Sequence, residues 1–570
     1  MKKVVSILLA MMLLTSIFAG CSKKETEEST TGSTETTTES GTESSTATEG
    51  SNSENAEIVD GKFVDTRKIT VEVFDRGNDG GSAPEDNPYT DFIKEGMLRD
   101  HNVEVEFVTV PRWTEVEQIN NLLAAADAPD VCVTYSYPTV QTYAEMGGVL
   151  DMAQYLEPNK ELLPNLYGLL GEENLTWNKD PKNGTIWAIE ARLAINPGKN
   201  VFVRQDWLDK LGMKQPTTTQ EFEDMLVAFK ENASTLLGAE ADKMIPFSLS
   251  FDIGWRAFNL VTSYLPDDLT DKDYYVYGFD DRQLLLPNAK EGIRKLNEWY
   301  NKGLIWSDFA LYGAGDTTEG NLMKAGYVGS YSQNWDDPYR GGDDSIHNNL
   351  QRLVGEDAMY VAIETFQNES GEYKQMISAP VDRKVFFPST NDEPLASLLY
   401  LDWISKLENR IYLQIGEEGR THEVLEDGTI KTIAATDEYI MNSPSNIDYT
   451  ITNNGLDLGD MDKTIKAISQ GYVGVQPEII DKAFRKSPYD YDYVTKNANA
   501  GPIAAEDGMG AALSAKRDTL LVQAVVAPLD QFDAVYDAGY QDYLSSGGQA
   551  IIDERTAAWE AMYGDKVNLD

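Results

Sequence analysis

The hydrophobic period of this chain switches repeatedly between two and about 3.6 residues, and that alternation limits what it can fold into. Ile69-Thr70-Val71-Glu72-Val73-Phe74 alternates as a strand. A Gly- and Pro-rich loop over 77–88 follows, then an apolar-periodic segment near 92–98. Val103 to Val108 alternates again, Val116, Ile119 and Leu123 keep helical spacing, and Val131 to Tyr135 reads as a third strand. Strand, helix, strand, helix, strand predicts a parallel or mixed sheet flanked by helices. A second series begins at Val201-Phe202-Val203. In the helix after it, Thr218 and Glu221 fit a capping box, and Phe222, Met225, Leu226 and Phe229 share a core-facing stripe. Further helices are expected near 288–302, 393–408, 461–470, 530–545 and 549–562. The pattern predicts an α/β protein in two lobes.

Ahead of the first strand the chain is of another kind. Lys2 and Lys3 precede an apolar run from Val4 to Phe18, too short to span a membrane comfortably, so residues 1–20 are expected to be a cleaved signal peptide. Ile17-Phe18-Ala19-Gly20-Cys21 resembles the bacterial lipobox, with Phe18 where leucine is usual. A lipid on Cys21 is therefore expected, holding the chain on the extracellular face of the membrane of a Gram-positive-type cell. Residues 21 to about 60 are mostly Ser, Thr, Glu and Gly, and cannot bury enough apolar surface to offset their ordering entropy. They should form a disordered tether with a reach of very roughly 35 Å. The one other cysteine, Cys132, lies in the apolar Val131-Cys132-Val133 and reads as a buried small hydrophobe. Without an internal disulfide the fold must rest on core size, and about 510 residues beyond the tether are enough for two large lobes.

Acidic residues number 94 against 48 basic, a formal net charge of −46, which disfavours nucleic acid as a partner. His101, His347 and His422 are the only histidines and show no HExxH or ligand-like spacing, so no zinc site is expected. No GxSxG nucleophile elbow and no Walker-type phosphate loop occurs, and no cofactor is expected. Among so many carboxylates a pair is no sign of a glycosidase unless it lies in a cleft. The aromatics say more. Several of the 10 Trp and 29 Tyr stand beside polar or Arg residues: Arg112-Trp113, Tyr135-Ser136-Tyr137, Gly254-Trp255-Arg256 and Gln333-Asn334-Trp335-Asp336. Sugar rings have apolar C–H faces and a rim of hydroxyls, so flat rings beside planar polar groups suit them. Packing in the core is the competing explanation for each ring.

Specific segments carry a resemblance. Leu122-Leu123-Ala124-Ala125-Ala126-Asp127-Ala128-Pro129-Asp130-Val131 is similar to the helix-to-strand signature of family 1 extracellular solute-binding proteins, the receptors of ABC importers. Tyr143 to Leu156 resembles that family's next segment. Val201 to Thr218 and Gly547 to Arg555 resemble its large oligosaccharide-binding lipoproteins. The resemblance implies a type II, periplasmic-binding-protein-like fold with a ligand cleft between lobes, and no catalysis. It places the first lobe at 61–192 plus about 385–470, and the second at about 193–384 plus 471–570. Crossings are implied near Ile189 to Pro197 and near Ala379-Pro380-Val381. The expected first-lobe ligand wall is Arg76, Trp113, Tyr135 and Tyr137; the second-lobe wall is Trp255, Arg256, Trp335 and Asp336. Glu190 and Arg192 at the crossing serve either ligand or hinge, and Trp207 is assigned to the core. The implied partners are an oligosaccharide and an ABC permease, with the receptor acting as a monomer. A peptide receptor and a lipoprotein glycoside hydrolase remain the alternatives. Some relatives carry a calcium loop just before an Ile-Pro-Phe-Ser stretch. Here Ile245-Pro246-Phe247-Ser248 is preceded by Asn232-Ala233-Ser234-Thr235-Leu236-Leu237-Gly238-Ala239, where leucines and alanines replace oxygen ligands, so no calcium is expected.

Overall fold

The structure, a computed structural model, describes residues 57–569 without 78–82, 196–197, 251, 281, 314–315, 365, 368–369, 372–380, 434–447, 488–497, 499 and 507. The signal peptide, Cys21, the tether up to residue 56, part of the loop 77–88 and Ala379-Pro380 lie outside the described residues. In chain order the first-lobe strands are β1 (Arg67–Asp75), β2 (Val103–Pro111), β3 (Cys132–Thr134) and β4 (Ile189–Leu193). The chain then crosses for β5 (Lys199–Arg204), β6 (Ile245–Ser248), β7 (Val328–Asn334) and β8 (Tyr360–Ile363). It returns for β9 (Val381–Phe386) and β10 (Asn453–Asn454).

Both sheets are mixed. β1 and β2 run parallel, with Arg67 opposite Val103 and Asp75 opposite Pro111, and Val71 bridges in parallel to Val131 just before β3. β9 lies antiparallel between β3 and β4, while β10 runs parallel to β4. The second sheet is ordered β8-β5-β7-β6, with β6 parallel to β7 and the other two pairs antiparallel. The strands near Ile69 to Phe74, Val103 to Val108 and Val131 to Tyr135 thus form where the period of two placed them.

Local chemistry fixes the helices. Pro88 opens the helix Pro88–His101, and the Asn87 side chain accepts from Tyr89 N at 3.0 Å and Thr90 N at 3.2 Å. The Thr90 hydroxyl closes the box by accepting from Asn87 N at 2.9 Å. Gly96 is required on that helix, because a Cβ there would lie 2.1 Å from the Trp403 ring. In Thr219–Glu231 the four predicted core residues are all fully buried. Its cap differs from the expected box in one half. Thr218 Oγ1 accepts from Glu221 N, but the Glu221 carboxylate reaches one residue further back and accepts from Thr217 N at 2.9 Å.

Each sheet has its own core. Ile69, Val71, Val73, Ile93, Met97, Leu166, Leu399 and Tyr449 share one, and Val203, Trp207, Phe222, Phe229, Phe247, Trp299 and Leu520 share another. Trp207 is fully buried with its ring edge-on to Phe229, as core, and Cys132 is buried with its thiol on the Pro129 carbonyl. Burial raises that thiol well above its ordinary pKa, so it is unreactive. The helix Met461–Ser469 links both halves: Ile465 sits with Tyr331 and Val475, and Ala467 with Ile415 and Leu458. No helix among the described residues is long and apolar enough to cross a membrane.

Candidate functional site

The strands β1, β2 and β3 end at one edge of the first sheet, and the chain places its polar aromatics just beyond those ends. Ligands of α/β sheets bind at such carboxyl ends. Tyr135 stacks on Phe74 with centroids 6.1 Å apart, and the Arg112 guanidinium lies 3.9 Å from the Tyr135 ring and 5.5 Å from Trp113. Trp113 itself is 75% exposed, an open ring at the rim of this stack. Arg76 grips Asp448 with two bonds, Nε to Oδ2 at 2.6 Å and Nη2 to Oδ1 at 2.9 Å. That carboxylate, with Tyr135 beside it, raises the Arg76 pKa further. Beneath the stack, two buried carboxylates pin β3. Glu72 accepts from Val133 N at 2.8 Å and Glu115 from Tyr135 N at 3.1 Å.

Tyr137 begins the next helix, Tyr137–Glu145, and leads into an open cavity of about 970 Å³. One wall is Tyr137, Gln141 and Glu145 of the first lobe; the facing wall is Tyr274, Tyr275, Phe279 and Arg555 of the second-lobe and C-terminal helices. Arg555 lies against two of these rings, 4.9 Å from Tyr275 and 5.4 Å from Phe279, while its Nε donates to Glu506. The buried Tyr275 hydroxyl has no hydrogen-bond partner among the described residues. Half-buried rings, a guanidinium and an amide along this lining offer stacking faces and hydrogen bonds together. Sequence reasoning missed Tyr274, Tyr275, Phe279 and Arg555. The aromatic run Tyr274-Tyr275-Val276-Tyr277-Gly278-Phe279, broken by glycine, was the available signal.

The structure covers three of the four residues expected on the second-lobe wall. Arg256 is 1% exposed, and its guanidinium is taken up by Glu319 at 2.9 and 3.0 Å, by the Ser250 carbonyl and by the Ser332 carbonyl. It is an internal strut. Trp335 is 8% exposed, edge-on to Phe484 at 5.1 Å and to Tyr472 at 6.1 Å. Asp336 is equally covered, accepting from Tyr472 Oη at 2.7 Å and pairing with Arg340. Trp255 is half-buried, with the Lys199 ammonium 4.8 Å from its ring, and remains able to face a ligand.

At the crossing, Arg192 pairs with Asp457 at 3.2 Å, which favours the hinge over the ligand. Glu190 is 2% exposed in β4, accepts from Asn178 Nδ2 at 2.7 Å and has Lys384 Nζ 3.5 Å away. Burial outweighs that lysine and pushes its carboxyl up to about 7. Glu190 is thus easier to protonate in the folded chain than in the unfolded one. Its stabilising contribution is complete below about pH 4.5 and is lost as the pH rises to about 7, a swing of about 3 kcal/mol at most. Glu190→Gln should flatten that slope in urea melts run from pH 4.5 to 8; an unchanged slope would assign it to other groups.

Ahead of Ile245-Pro246-Phe247-Ser248, Ala233–Leu237 is helical, Leu236 is buried, and Glu240 pairs with Lys243. Among the described residues no three His, Cys, Asp or Glu side chains cluster as a metal site. EDTA should leave the melting temperature unchanged; a large drop would mean a structural cation.

No protein-family profile matches the chain. It is similar to the polygalacturonan/rhamnogalacturonan-binding protein YtcQ of Bacillus subtilis, 20% identical over 469 residues covering 80% of this chain and 86% of that one. It is also similar to the fructooligosaccharide ABC transporter substrate-binding protein FusA of Streptococcus pneumoniae, 26% identical over 34% of this chain and 38% of that one. The solved structure of FusA with kestose covers 88% of this chain and 100% of its own, with a TM-score of 0.55 at 16% identity. A human-milk-oligosaccharide-binding solute-binding protein from Bifidobacterium longum infantis gives a TM-score of 0.56 at 15% identity, over 88% and 100%. The fold is therefore the two-lobed α/β type of solute-binding proteins.

Proposed function

We infer that this chain, a relative in sequence and in fold of the solute-binding proteins of ABC transporters, is itself such a receptor, capturing an extracellular oligosaccharide between its lobes for import. The observation that carries the ligand class is the cavity of about 970 Å³ with Tyr137 on one wall and Tyr274, Tyr275 and Phe279 on the other. Opposed rings suit a chain of sugar units, which presents apolar faces on both sides. Arg555 lies against Tyr275 and Phe279 in this lining, while Arg76, Trp113, Tyr135 and Trp255 lie outside it. Ligand touching both walls favours the closed arrangement, and can do so only by its differential affinity for that state. The closed pair of lobes is what a permease would recognise. No catalytic step is assigned to the chain.

The lipid on Cys21 belongs to the same reading: with the Ser/Thr/Glu-rich tether it keeps the receptor near its permease and raises the effective concentration there. Cys21→Ser should release the protein from the membrane fraction and leave ligand affinity unchanged; an altered affinity would give the anchor a second role. The ligand assignment is tested by a thermal-shift screen of neutral oligosaccharides, uronate-containing oligosaccharides and peptides. Stabilisation by a sugar that is recovered intact supports the proposal; stabilisation by peptides alone, or cleavage of the sugar, replaces it.

A further inference from the structure

Beside the first crossing lies a second cavity, of about 410 Å³, lined by Arg192 near the end of β4, Asp457 and Asp460 on the stretch between β10 and the helix Met461–Ser469, and Ser405 and Arg410 of the first lobe. Two guanidiniums share one buried carboxylate there. Asp457 Oδ2 accepts from Arg410 Nη2 at 3.0 Å and from Arg192 Nη1 at 3.2 Å, while its Oδ1 is held by Gly459 N at 2.8 Å. Arg410 gives Nη1 to the Ser405 carbonyl at 2.7 Å, and its buried Nε has no partner among the described residues. The Arg410 side chain is only 6% exposed, whereas Arg192 is 37% exposed. The other acid, Asp460, faces solvent and is committed to capping Lys463 N at 2.9 Å. The interior of the cavity thus holds two positive groups against one negative, with a donor left over. Burial, against the opposing pull of the Asp457 carboxylate and with a smaller push from the Arg192 charge, lowers the Arg410 pKa.

We propose that this cavity binds a small oxyanion, a carboxylate or a phosphate, between Arg192 and Arg410. Planar guanidinium forks match both groups in charge and geometry. The cavity is bounded by the first crossing and by the stretch leading into the helix Met461–Ser469, which packs on both halves, so an anion seated in it braces that junction and couples to lobe closure to the extent that the two states hold it differently. The inference stands independently of the oligosaccharide reading.

The test uses equilibrium dialysis of the whole chain with radiolabelled inorganic phosphate and, in a separate arm, malonate, against sodium chloride at matched ionic strength. One saturable equivalent is expected for at least one of them, and the arm that saturates identifies the class. Arg192→Gln should weaken it about tenfold or more, and Arg192→Lys should restore part of it. Arg192 is the chosen position because, being partly exposed, its loss leaves the core intact; a cooperative urea melt of each variant checks this. Absence of saturable binding in both arms, or binding that Arg192→Gln leaves unchanged, overturns the proposal.

Discussion

Asp448→Ala should cost on the order of 3–5 kcal/mol of stability. The Asp448 side chain is fully buried and receives two bonds from Arg76, with Arg383 Nη1 at 3.4 Å on the same carboxylate. Arg383 is itself fully buried. Removing the carboxylate leaves that guanidinium with Asp382 at 3.9 Å as its remaining counter-charge, and deleting one partner of a buried pair costs far more than the intact pair contributes. Asp448→Asn, which keeps an acceptor oxygen, should cost less. Urea denaturation of each variant measures the difference; a loss below about 1 kcal/mol for the alanine variant would mean that water reaches Arg383. Ligand affinity should fall as well, because Arg76 is anchored here beside Tyr135.

The second large effect concerns the cleft. Tyr137→Ala and Phe279→Ala remove one ring from each of the opposed walls, and each should cost about 1 kcal/mol or more of oligosaccharide binding. The rings lie on separate elements, so the double variant should lose about 2 kcal/mol, near thirtyfold in Kd. Calorimetric titration of single and double variants reads this directly. If neither single variant weakened binding twofold, the sugar would be held elsewhere, with the exposed Trp113 and the half-buried Trp255 next to examine.

Much of the fold was legible because its signals are local. A half-buried strand alternates wherever it sits, and β2 shows it; β1 alternates in sequence although Val71 to Phe74 are all buried, and the stripe at Phe222, Met225, Leu226 and Phe229 likewise announced one buried helix face. The helix Gly510–Val526 went unseen because it lacks a clear stripe. Its second half, Leu520-Leu521-Val522-Gln523-Ala524-Val525-Val526, is apolar on nearly every side, so no period marks it.

The candidate site was legible only in part, for a different reason. Arg76, Trp113, Tyr135 and Tyr137 lie just beyond strand ends, a position that can be read from sequence. Whether an aromatic or an arginine faces a cleft depends on what covers it, and the covering residues are distant in the chain. Glu319 meets Arg256 across 63 positions, and Tyr472 meets Asp336 across 136. Nothing near Arg256 or Trp335 records those partners. Their Gly- and Asp-rich flanks suggested open loops, whereas Arg256 ends the helical turn Ile253–Arg256 and Trp335 follows β7 directly, both buried.

The central claim is that the cleft takes up an intact sugar and closes on it. Small-angle scattering of the soluble body, titrated with the oligosaccharide that the thermal screen selects, tests this most directly. The expected result is a saturable fall in the radius of gyration at one ligand per chain, absent in the Tyr137→Ala/Phe279→Ala variant, with the sugar recovered unchanged. A radius that stays constant at saturating ligand, or a sugar recovered as fragments, would contradict it.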